Sequence, residues 1–415
     1  MMTPRDAARL PSLPRLAILL PLLSLVSCAT GRLQRLPEQP PPVSSAAFAE
    51  EAARLAGHPW REGNAVTTLP NGVRFLPAML AAIRSARHSI TWENFVAVDS
   101  QPVADFTEAL CERAEAGVKV HVILDHYGCS TYGKEHLRRM RAAGVDLRLY
   151  SPWRLHRPLA YNHRTHRRIL VVDGQVGYIG GAGLAYAWDG DAEDPTRWRD
   201  TMYELRGPVV ADLQRTFHEN WQELTGQTLT GAAYFPPLTR QGSSRVLNAP
   251  GSPQSGQDTI GSLFLLALRA ARTSILISHA YFIPSREFEI ALVEARARGV
   301  EVEILVPGPH TDMPLCPCVT APLLRQLLDA GVTLREYQPC MMHGKLVVID
   351  GALSIIGSGN LDARSFFIND ENNALVLCQP FARQQIAMHR RDCQRSRLIT
   401  RADLRQSWLP WLKGA

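Results

Sequence analysis

Helical and strand patterns alternate along the chain in two matched series. Each predicted helix has apolar residues at spacings of three and four, and the short β-branched run after it predicts a buried strand. The order of the units is the same in both series, which indicates an internal repeat. The units cover residues 75–97, 105–125 and 137–150 in the first series, and 263–283, 288–306 and 323–337 in the second.

This repeat predicts an α/β fold made of two α/β/α lobes related by a pseudo-twofold axis. Helices that alternate with buried strands cover both faces of a sheet, so we expect a mostly parallel mixed sheet in each lobe. The predicted first lobe spans residues 51–225 and the second spans 259–415. The Pro-, Gly- and Ser-rich segment 226–258 between them is predicted to be a connector.

The N-terminus is typical of an exported protein. Three arginines precede a short apolar run that closes on Leu-Val-Ser-Cys, so residues 1–28 predict a signal peptide. The closing residues resemble a bacterial lipobox, which implies lipidation of Cys28; an uncleaved anchor or a chance cysteine is the alternative. Residues 29–50 would then be a Pro-rich tether. We expect a membrane-anchored envelope lipoprotein facing the periplasm or the exterior, and Ala29 favours the outer membrane.

Composition adds a constraint on partners. With 46% hydrophobic and 20% charged residues the chain is an ordinary globular protein. A formal net charge of +6 and a pI near 9.0 favour an anionic partner, either lipid headgroups or nucleic acid. Cys316-Pro317-Cys318 lacks the spacing and the second pair of a zinc site, so no metal is expected.

Two similar histidine phrases carry the candidate chemistry. They read NHRTHRRILVVDG at 162–174 and MMHGKLVVIDG at 341–351. Residues i and i+2 of a strand project to the same side, so His166 lies beside Arg168, and the second phrase repeats this pair. An imidazole next to a fixed cation suits a phosphate, because one group attacks phosphorus or moves a proton while the other holds the anionic oxygens.

Each phrase continues in the same way after its histidine. Asp173 and Asp350 follow the two histidines by seven residues, beyond an apolar strand. Gly-rich turns come next, at 179–184 and 356–361, where backbone N–H groups could bind oxyanions.

His-x-Lys-x4-Asp followed by Gly-Ser-x-Asn, present twice in one chain, resembles the phospholipase D superfamily. The second copy matches at every position, and the flanking residues look like bacterial cardiolipin synthases and their phospholipase D-like relatives. The resemblance covers roughly residues 70–410. It implies one site built by both phrases, without metal or cofactor, in which His166 is the nucleophile and His343 the general acid/base. Pseudosymmetry leaves the reverse assignment of the two histidines open.

The resemblance also implies roles for further residues. Each histidine needs a nearby carboxylate, and the matching positions are Asp200 and Glu371. The full set comprises the catalytic motif residues His166, Arg168, Asp173, His343, Lys345 and Asp350, the substrate-binding Ser358 and Asn360, and the acidic partners Asp200 and Glu371. Within this set we expect Asp173 and Asp350 to brace the fold rather than to touch substrate.

The first phrase departs from the family pattern. Arg168 replaces lysine, which keeps the charge and adds a second donor for phosphate. Gly181 replaces serine and Gly183 replaces asparagine, which removes a side-chain donor worth on the order of 3 kcal/mol in a transition state. A decayed lobe would be expected to lose His166 or Asp200 as well, and both remain.

The resemblance implies a phosphatidyltransferase that makes cardiolipin from phosphatidylglycerol and releases glycerol. The expected partner is an anionic phospholipid at a membrane, with no nucleic acid. The alternatives are a phospholipase D that releases phosphatidic acid, an exported nuclease of the same superfamily, and a lipid-binding protein that has lost catalysis. The sequence makes no prediction of the oligomeric state.

Overall fold

The described part of the chain contains eleven α-helices. The predicted signal peptide and Cys28 lie outside it. The structure, a computed structural model, describes residues 32–153, 161–252, 257–313 and 316–406. Its helices are α1 (Ala46–Ala56), α2 (Gly72–Ser85), α3 (Gln101–Glu115), α4 (Lys134–Ala142), α5 (Val210–Thr225), α6 (Thr259–Ala270), α7 (Arg286–Ala297), α8 (Cys316–Asp329), α9 (Ala363–Phe367), α10 (Gln379–Gln394) and α11 (Arg401–Gln406).

Nineteen strands are found in the same ranges. They are β1 (Arg32–Leu33), β2 (Arg61–Pro70), β3 (Ser89–Asn94), β4 (Lys119–Asp125), β5 (Asp146–Tyr150), β6 (Ile169–Val172), β7 (Val176–Gly180), β8 (Thr201–Arg206), β9 (Ser244–Gly251), β10 (Gln257–Asp258), β11 (Ser274–His279), β12 (Phe282–Ile283), β13 (Glu301–Pro307), β14 (Thr333–Tyr337), β15 (Lys345–Ile349), β16 (Leu353–Gly357), β17 (Leu361–Asp362), β18 (Glu371–Leu377) and β19 (Ser396–Leu398).

Fifteen of the described strands form one sheet, in which the two halves of the chain repeat the same order. From the middle outwards the first half runs β2-β8-β7-β6-β3-β4-β5, and the second runs β9-β18-β16-β15-β11-β13-β14, with β19 added at its edge. The halves meet where β2 pairs antiparallel with β9. The α/β class is therefore confirmed, and the repeat seen in the sequence extends to the strand order.

The sheet is less parallel than expected. Only the outer strands of each half pair in parallel, β3-β4-β5 in the first and β11-β13-β14 in the second. The strands between them are antiparallel, so the expectation of mostly parallel sheets was wrong. The physical reason is that each histidine phrase leads into a strand beside β3 or β11 and returns through a hairpin, which needs only a short turn.

The predicted connector contributes to the centre of this sheet. Its residues 244–251 form β9, which pairs with both β18 and β2. Helix α1 precedes the first half in sequence, yet its Phe48 and Leu55 are buried in the core of the second half with Phe264. The N-terminal segment thus crosses from one half to the other.

The two halves also share a hydrophobic core. Ile169 and Val171 of β6 pack in one buried cluster with Leu346 and Val348 of β15. These strands directly follow the two histidine phrases. Because apolar burial here joins both halves, the strands that carry the phrases are held in a fixed relation to each other.

Candidate active site

The two histidine phrases meet at the junction between the halves, and each is held by backbone from the other half. The amide of His166 donates to the carbonyl of Asp370, 2.8 Å away, and the amide of His343 donates to the carbonyl of Arg199 at 2.7 Å. Thr165 forms a short parallel bridge with Asp370 in the same place. Both histidines are buried, so their positions depend on the assembly of both halves.

Each imidazole contacts a carboxylate that comes from the opposite half. Nδ1 of His166 lies 2.8 Å from Oε1 of Glu371, and Nδ1 of His343 lies 2.6 Å from Oδ2 of Asp200. Both carboxylates are fully buried. The residues proposed as acidic partners from the sequence are thus brought to the two histidines, in a reciprocal arrangement across the junction.

A cation accompanies each histidine. Nη1 of Arg168 lies 3.1 Å from Nε2 of His166 and donates to the His166 carbonyl at 2.9 Å. Because a guanidinium only donates, this contact assigns the lone pair to Nε2 and the proton to Nδ1 of His166. In the second half, Nζ of Lys345 donates to the His343 carbonyl at 2.8 Å and lies 3.5 Å from its Nε2.

The two histidines and the two cations influence one another's pKa values. Burial is the largest cause that lowers the pKa of both histidines, to about 3 for His343 and well below the ordinary value for His166, and both cations add to the effect at each ring. Burial also lowers the pKa of Lys345 to about 8. The site therefore holds excess positive charge around neutral imidazoles, which favours binding of an anion between them.

The two carboxylates differ in their protonation. Burial opposes ionisation of Asp200, but the hydrogen bond with His343, the charge of Lys345 and the amide of Thr201 hold its pKa below the ordinary value. Asp200 also accepts from the indole Nε1 of Trp188 at 2.9 Å and from the amide of Thr201 at 2.7 Å. Asp200 is therefore the ionised partner of the pair.

Glu371 behaves in the opposite way. Burial raises its pKa to about 7, although two serine hydroxyls oppose the shift. Oγ of Ser358 donates to its Oε2 at 2.5 Å, and Oγ of Ser365 donates to its Oε1 at 2.7 Å. Sequence reasoning missed Ser365 and the Trp188 contact, although these residues precede their carboxylates by only 6 and 12 positions. Neither spacing is repeated in the other half of the chain, so no pattern marked the two donors.

The structure corrects the grouping of Asp173 and Asp350 with the catalytic residues. Each lies at the far end of its strand from the histidine, in a turn with positive φ. The carboxylate of Asp173 accepts from the backbone amides of 87–89, and that of Asp350 accepts from the amides of 272–274. Both aspartates fix the entry to β3 or β11, in line with the bracing role expected of them.

Gly181 and Gly183 of the first Gly-rich turn lie where little space is left for a side chain. A Cβ atom at Gly183 would lie 2.6 Å from the carbonyl oxygen of Val96, and one at Gly181 would lie 2.6 Å from Oδ1 of Asp200. A side chain at Gly183 would thus collide with backbone, and one at Gly181 would require the carboxylate of Asp200 to move. In the second turn Asn360 is buried, and its Oδ1 accepts no hydrogen bond from the described residues.

Paired histidines from two halves of one α/β repeat, each with a cation two residues on, define a protein of the phospholipase D superfamily. The family model described as "Cardiolipin synthase, PLD-like domain" matches residues 79–221 and 264–392, which is more than half of the chain. The chain belongs to this family, as the resemblance implied.

Relatives match along most of the chain. The cardiolipin synthase of Geobacillus kaustophilus (strain HTA426) is 31% identical over 365 residues, which cover 87% of this chain and 71% of the relative. Cardiolipin synthase A of Pseudomonas putida (strain KT2440) is 33% identical over 356 residues, covering 84% and 72%. The crystal structure of the phosphatidylserine synthase of Haemophilus influenzae Rd KW20 shares the fold, with a TM-score of 0.66, 13% identity, and coverage of 85% of this chain and 92% of that one.

Proposed function

We propose that this protein is a phosphatidyltransferase that joins two phosphatidylglycerol molecules into cardiolipin and releases glycerol. The reciprocal pairing of His166 with Glu371 and of His343 with Asp200 carries the proposal, because it supplies two imidazoles in different electrostatic settings at one site. Relatives named as cardiolipin synthases support a lipid substrate.

In the first step, Nε2 of His166 attacks the phosphorus of one phosphatidylglycerol. The bond from phosphorus to the glycerol oxygen breaks, and His343 donates its Nε2 proton to that oxygen. The lone pair on Nε2 of His166 suits it to be the nucleophile. The ionised Asp200 stabilises a protonated His343, which suits this residue to be the acid.

Binding of the substrate phosphodiester favours the protonated form of His343, which is the form that can donate a proton. In the free site, burial and the charges of Lys345 and Arg168 keep His343 neutral. A bound phosphodiester brings a negative charge that offsets both cations and raises the pKa of His343. The same two cations hold the anionic oxygens while the charge moves from the leaving to the entering group.

In the second step, the neutral His343 takes the proton from a hydroxyl of the second phosphatidylglycerol. That oxygen attacks phosphorus, the bond from phosphorus to Nε2 of His166 breaks, and cardiolipin forms. Attack by water instead would give phosphatidic acid. The outcome depends on how well the acceptor lipid excludes water from the site.

The membrane setting is part of the proposal. Processing at Cys28 would attach the enzyme to a bacterial envelope membrane, and the net charge of +6 suits a surface of anionic lipids. Within the described ranges, no helix combines the length and the apolar character needed to span a lipid bilayer.

The test is to incubate the purified full-length protein with phosphatidylglycerol vesicles and to resolve the products. We expect cardiolipin and glycerol, one molecule of each per turnover, from the parent and from His88→Ala, a control at an exposed histidine. From His343→Ala we expect both products at a rate lower by about 10²- to 10⁴-fold. Phosphatidic acid would support hydrolysis, and cleavage of DNA without lipid turnover would support a nuclease. An inactive parent would point to a lipid-binding protein.

The order of the histidines is tested by trapping the intermediate. Substrate labelled with radioactive phosphorus is quenched after one turnover, and the labelled peptide is mapped. We expect label on His166. Label on His343 alone would reverse the roles of the two residues while keeping the reaction.

A further inference from the structure

A second cluster of reactive side chains lies apart from the histidine phrases, between strand β13 and helix α10. It consists of Glu303 on the strand and of His389 and Cys393, which are four residues apart on one face of the helix. Among the described residues this is the one group of three His, Cys or carboxylate side chains whose ligand atoms lie within 4.8 Å of one another.

The two distances from His389 match those between ligands of a tetrahedral metal ion, and the Glu303 and Cys393 ligand atoms lie within 4.8 Å of each other. Nε2 of His389 lies 3.3 Å from Oε2 of Glu303 and 3.4 Å from Sγ of Cys393. Zinc bonds of about 2.0 Å to nitrogen or oxygen and about 2.3 Å to sulfur place such atoms about 3.3 and about 3.5 Å apart. We propose that these three residues bind one zinc ion, with the fourth position open to water.

The neighbours of the cluster orient the three ligands. Oγ of Ser278 lies 2.7 Å from Nδ1 of His389, which leaves Nε2 directed at the other two ligands. Nε of Arg335 donates to Oε1 of Glu303 at 2.6 Å and leaves Oε2 free to coordinate. Metal ligands in proteins are typically held by such outer hydrogen bonds.

The cluster is also reachable from solvent. His389 is buried, but the Glu303 side chain is 25% exposed and Cys393 is partly exposed. Zinc binds the thiolate form of cysteine, so coordination displaces the thiol proton of Cys393. A mixed set of nitrogen, sulfur and oxygen donors suits zinc better than magnesium or calcium.

The zinc ion would serve as a structural cross-link between strand β13 and helix α10 in the second half. It would tie α10 to the sheet beside Asp392, whose carboxylate binds the guanidinium of Arg199 at 2.9 Å. Arg199 directly precedes Asp200, and the carbonyl of Arg199 accepts a hydrogen bond from the amide of His343. The zinc ion would therefore stabilise the position of the segment that carries Asp200, the carboxylate partner of His343.

The test uses the purified full-length protein, stripped of metal with a chelator and titrated with Co²⁺ and then with Zn²⁺. We expect one equivalent of Co²⁺ with a thiolate-to-cobalt charge-transfer absorption, displaced by Zn²⁺, and a higher Tm with Zn²⁺. Cys393→Ser and His389→Gln should lose the absorption and the shift in Tm. Ser278→Ala should keep the absorption but bind about 10-fold to 100-fold more weakly.

Cysteine controls separate this site from others in the chain. Cys340→Ser and the double variant Cys316→Ser/Cys318→Ser should bind Co²⁺ like the parent. A charge-transfer absorption that persists in Cys393→Ser, or a parent that binds neither metal, would overturn the proposal. Neither outcome depends on cardiolipin synthesis, so the test is independent of the proposed reaction.

Discussion

The two halves of the protein share one scaffold but hold their carboxylates by different means. In the first half Asp200 accepts from an indole N–H and a backbone amide, and its pKa lies below the ordinary value. In the second half Glu371 accepts from two serine hydroxyls, and burial raises its pKa to about 7. A duplicated motif thus provides two carboxylates whose pKa values are shifted in opposite directions. A nucleophile and a general acid need partners that differ in this way.

The largest difference between the halves should appear when either histidine is removed. His166→Ala should lower kcat with phosphatidylglycerol by about 10⁶-fold, because it removes the nucleophile. His343→Ala should lower kcat by about 10²- to 10⁴-fold, because it removes a proton donor. Steady-state release of glycerol measures both effects.

An activated substrate sharpens this comparison. A nitrophenyl phosphodiester has a leaving group that needs no proton, so His343→Ala should regain a burst of nitrophenolate, whereas His166→Ala should show none. The same burst in His166→Ala and not in His343→Ala would mean that the roles are reversed.

The next effect concerns the indole that binds Asp200. Trp188→Phe keeps most of the packing but removes the donor, which costs about 1 to 3 kcal/mol at a buried carboxylate and should lower kcat by about 10- to 100-fold. Trp198→Phe is the matched control, since Trp198 also packs against His343. Equal losses in the two variants would show that ring packing, and not the hydrogen bond, supports Asp200.

A smaller change is expected in the pH profile when Ser358 loses its hydroxyl. The hydroxyl lowers the pKa of Glu371, so Ser358→Ala should raise that pKa above about 7. If ionised Glu371 must hold His166, the rising limb of kcat/KM should move up by about one pH unit. Ser358→Thr keeps a hydroxyl and should show the parent profile. If the rising limb of kcat/KM does not move in Ser358→Ala, that limb reports the titration of a group other than Glu371.

The same group makes stability depend on pH. The folded pKa of Glu371 lies above its value of 4.5 in an exposed chain. Its contribution to folding is therefore complete below about pH 4.5 and is lost as the pH rises through about 7. In Ser358→Ala the loss should occur at higher pH, which urea unfolding at a series of pH values would measure.

The smallest effect on catalysis is expected at the two aspartates that end the motif. Asp173→Asn should leave kcat unchanged and lower the free energy of unfolding by about 2 kcal/mol, because a charged acceptor for backbone amides is lost. Asp350→Asn should behave in the same way. Kinetics and urea unfolding measure the two quantities, and a large fall in kcat with unchanged stability would return these aspartates to the catalytic set.

Much of the scaffold could be predicted from local patterns. Helix periodicity and β-branched runs located the helix–strand units, because both depend on residues close together in the chain. The extent of antiparallel pairing could not be predicted in this way. It depends on where β6 and β15 insert, beside β3 and β11, and no local preference encodes the neighbour of a strand.

The sequence by itself determined that two histidine–cation pairs exist and which carboxylates could serve them. The tertiary structure decided that each histidine takes the carboxylate of the other half, across separations of 205 and 143 residues. It also decided that Asp200 accepts from the indole N–H of Trp188 and not from a serine hydroxyl at position 181, where the Cβ atom of a serine would meet Asp200. Residue type and spacing fix what a side chain can do, whereas burial and contact with distant residues fix its charge and its partner.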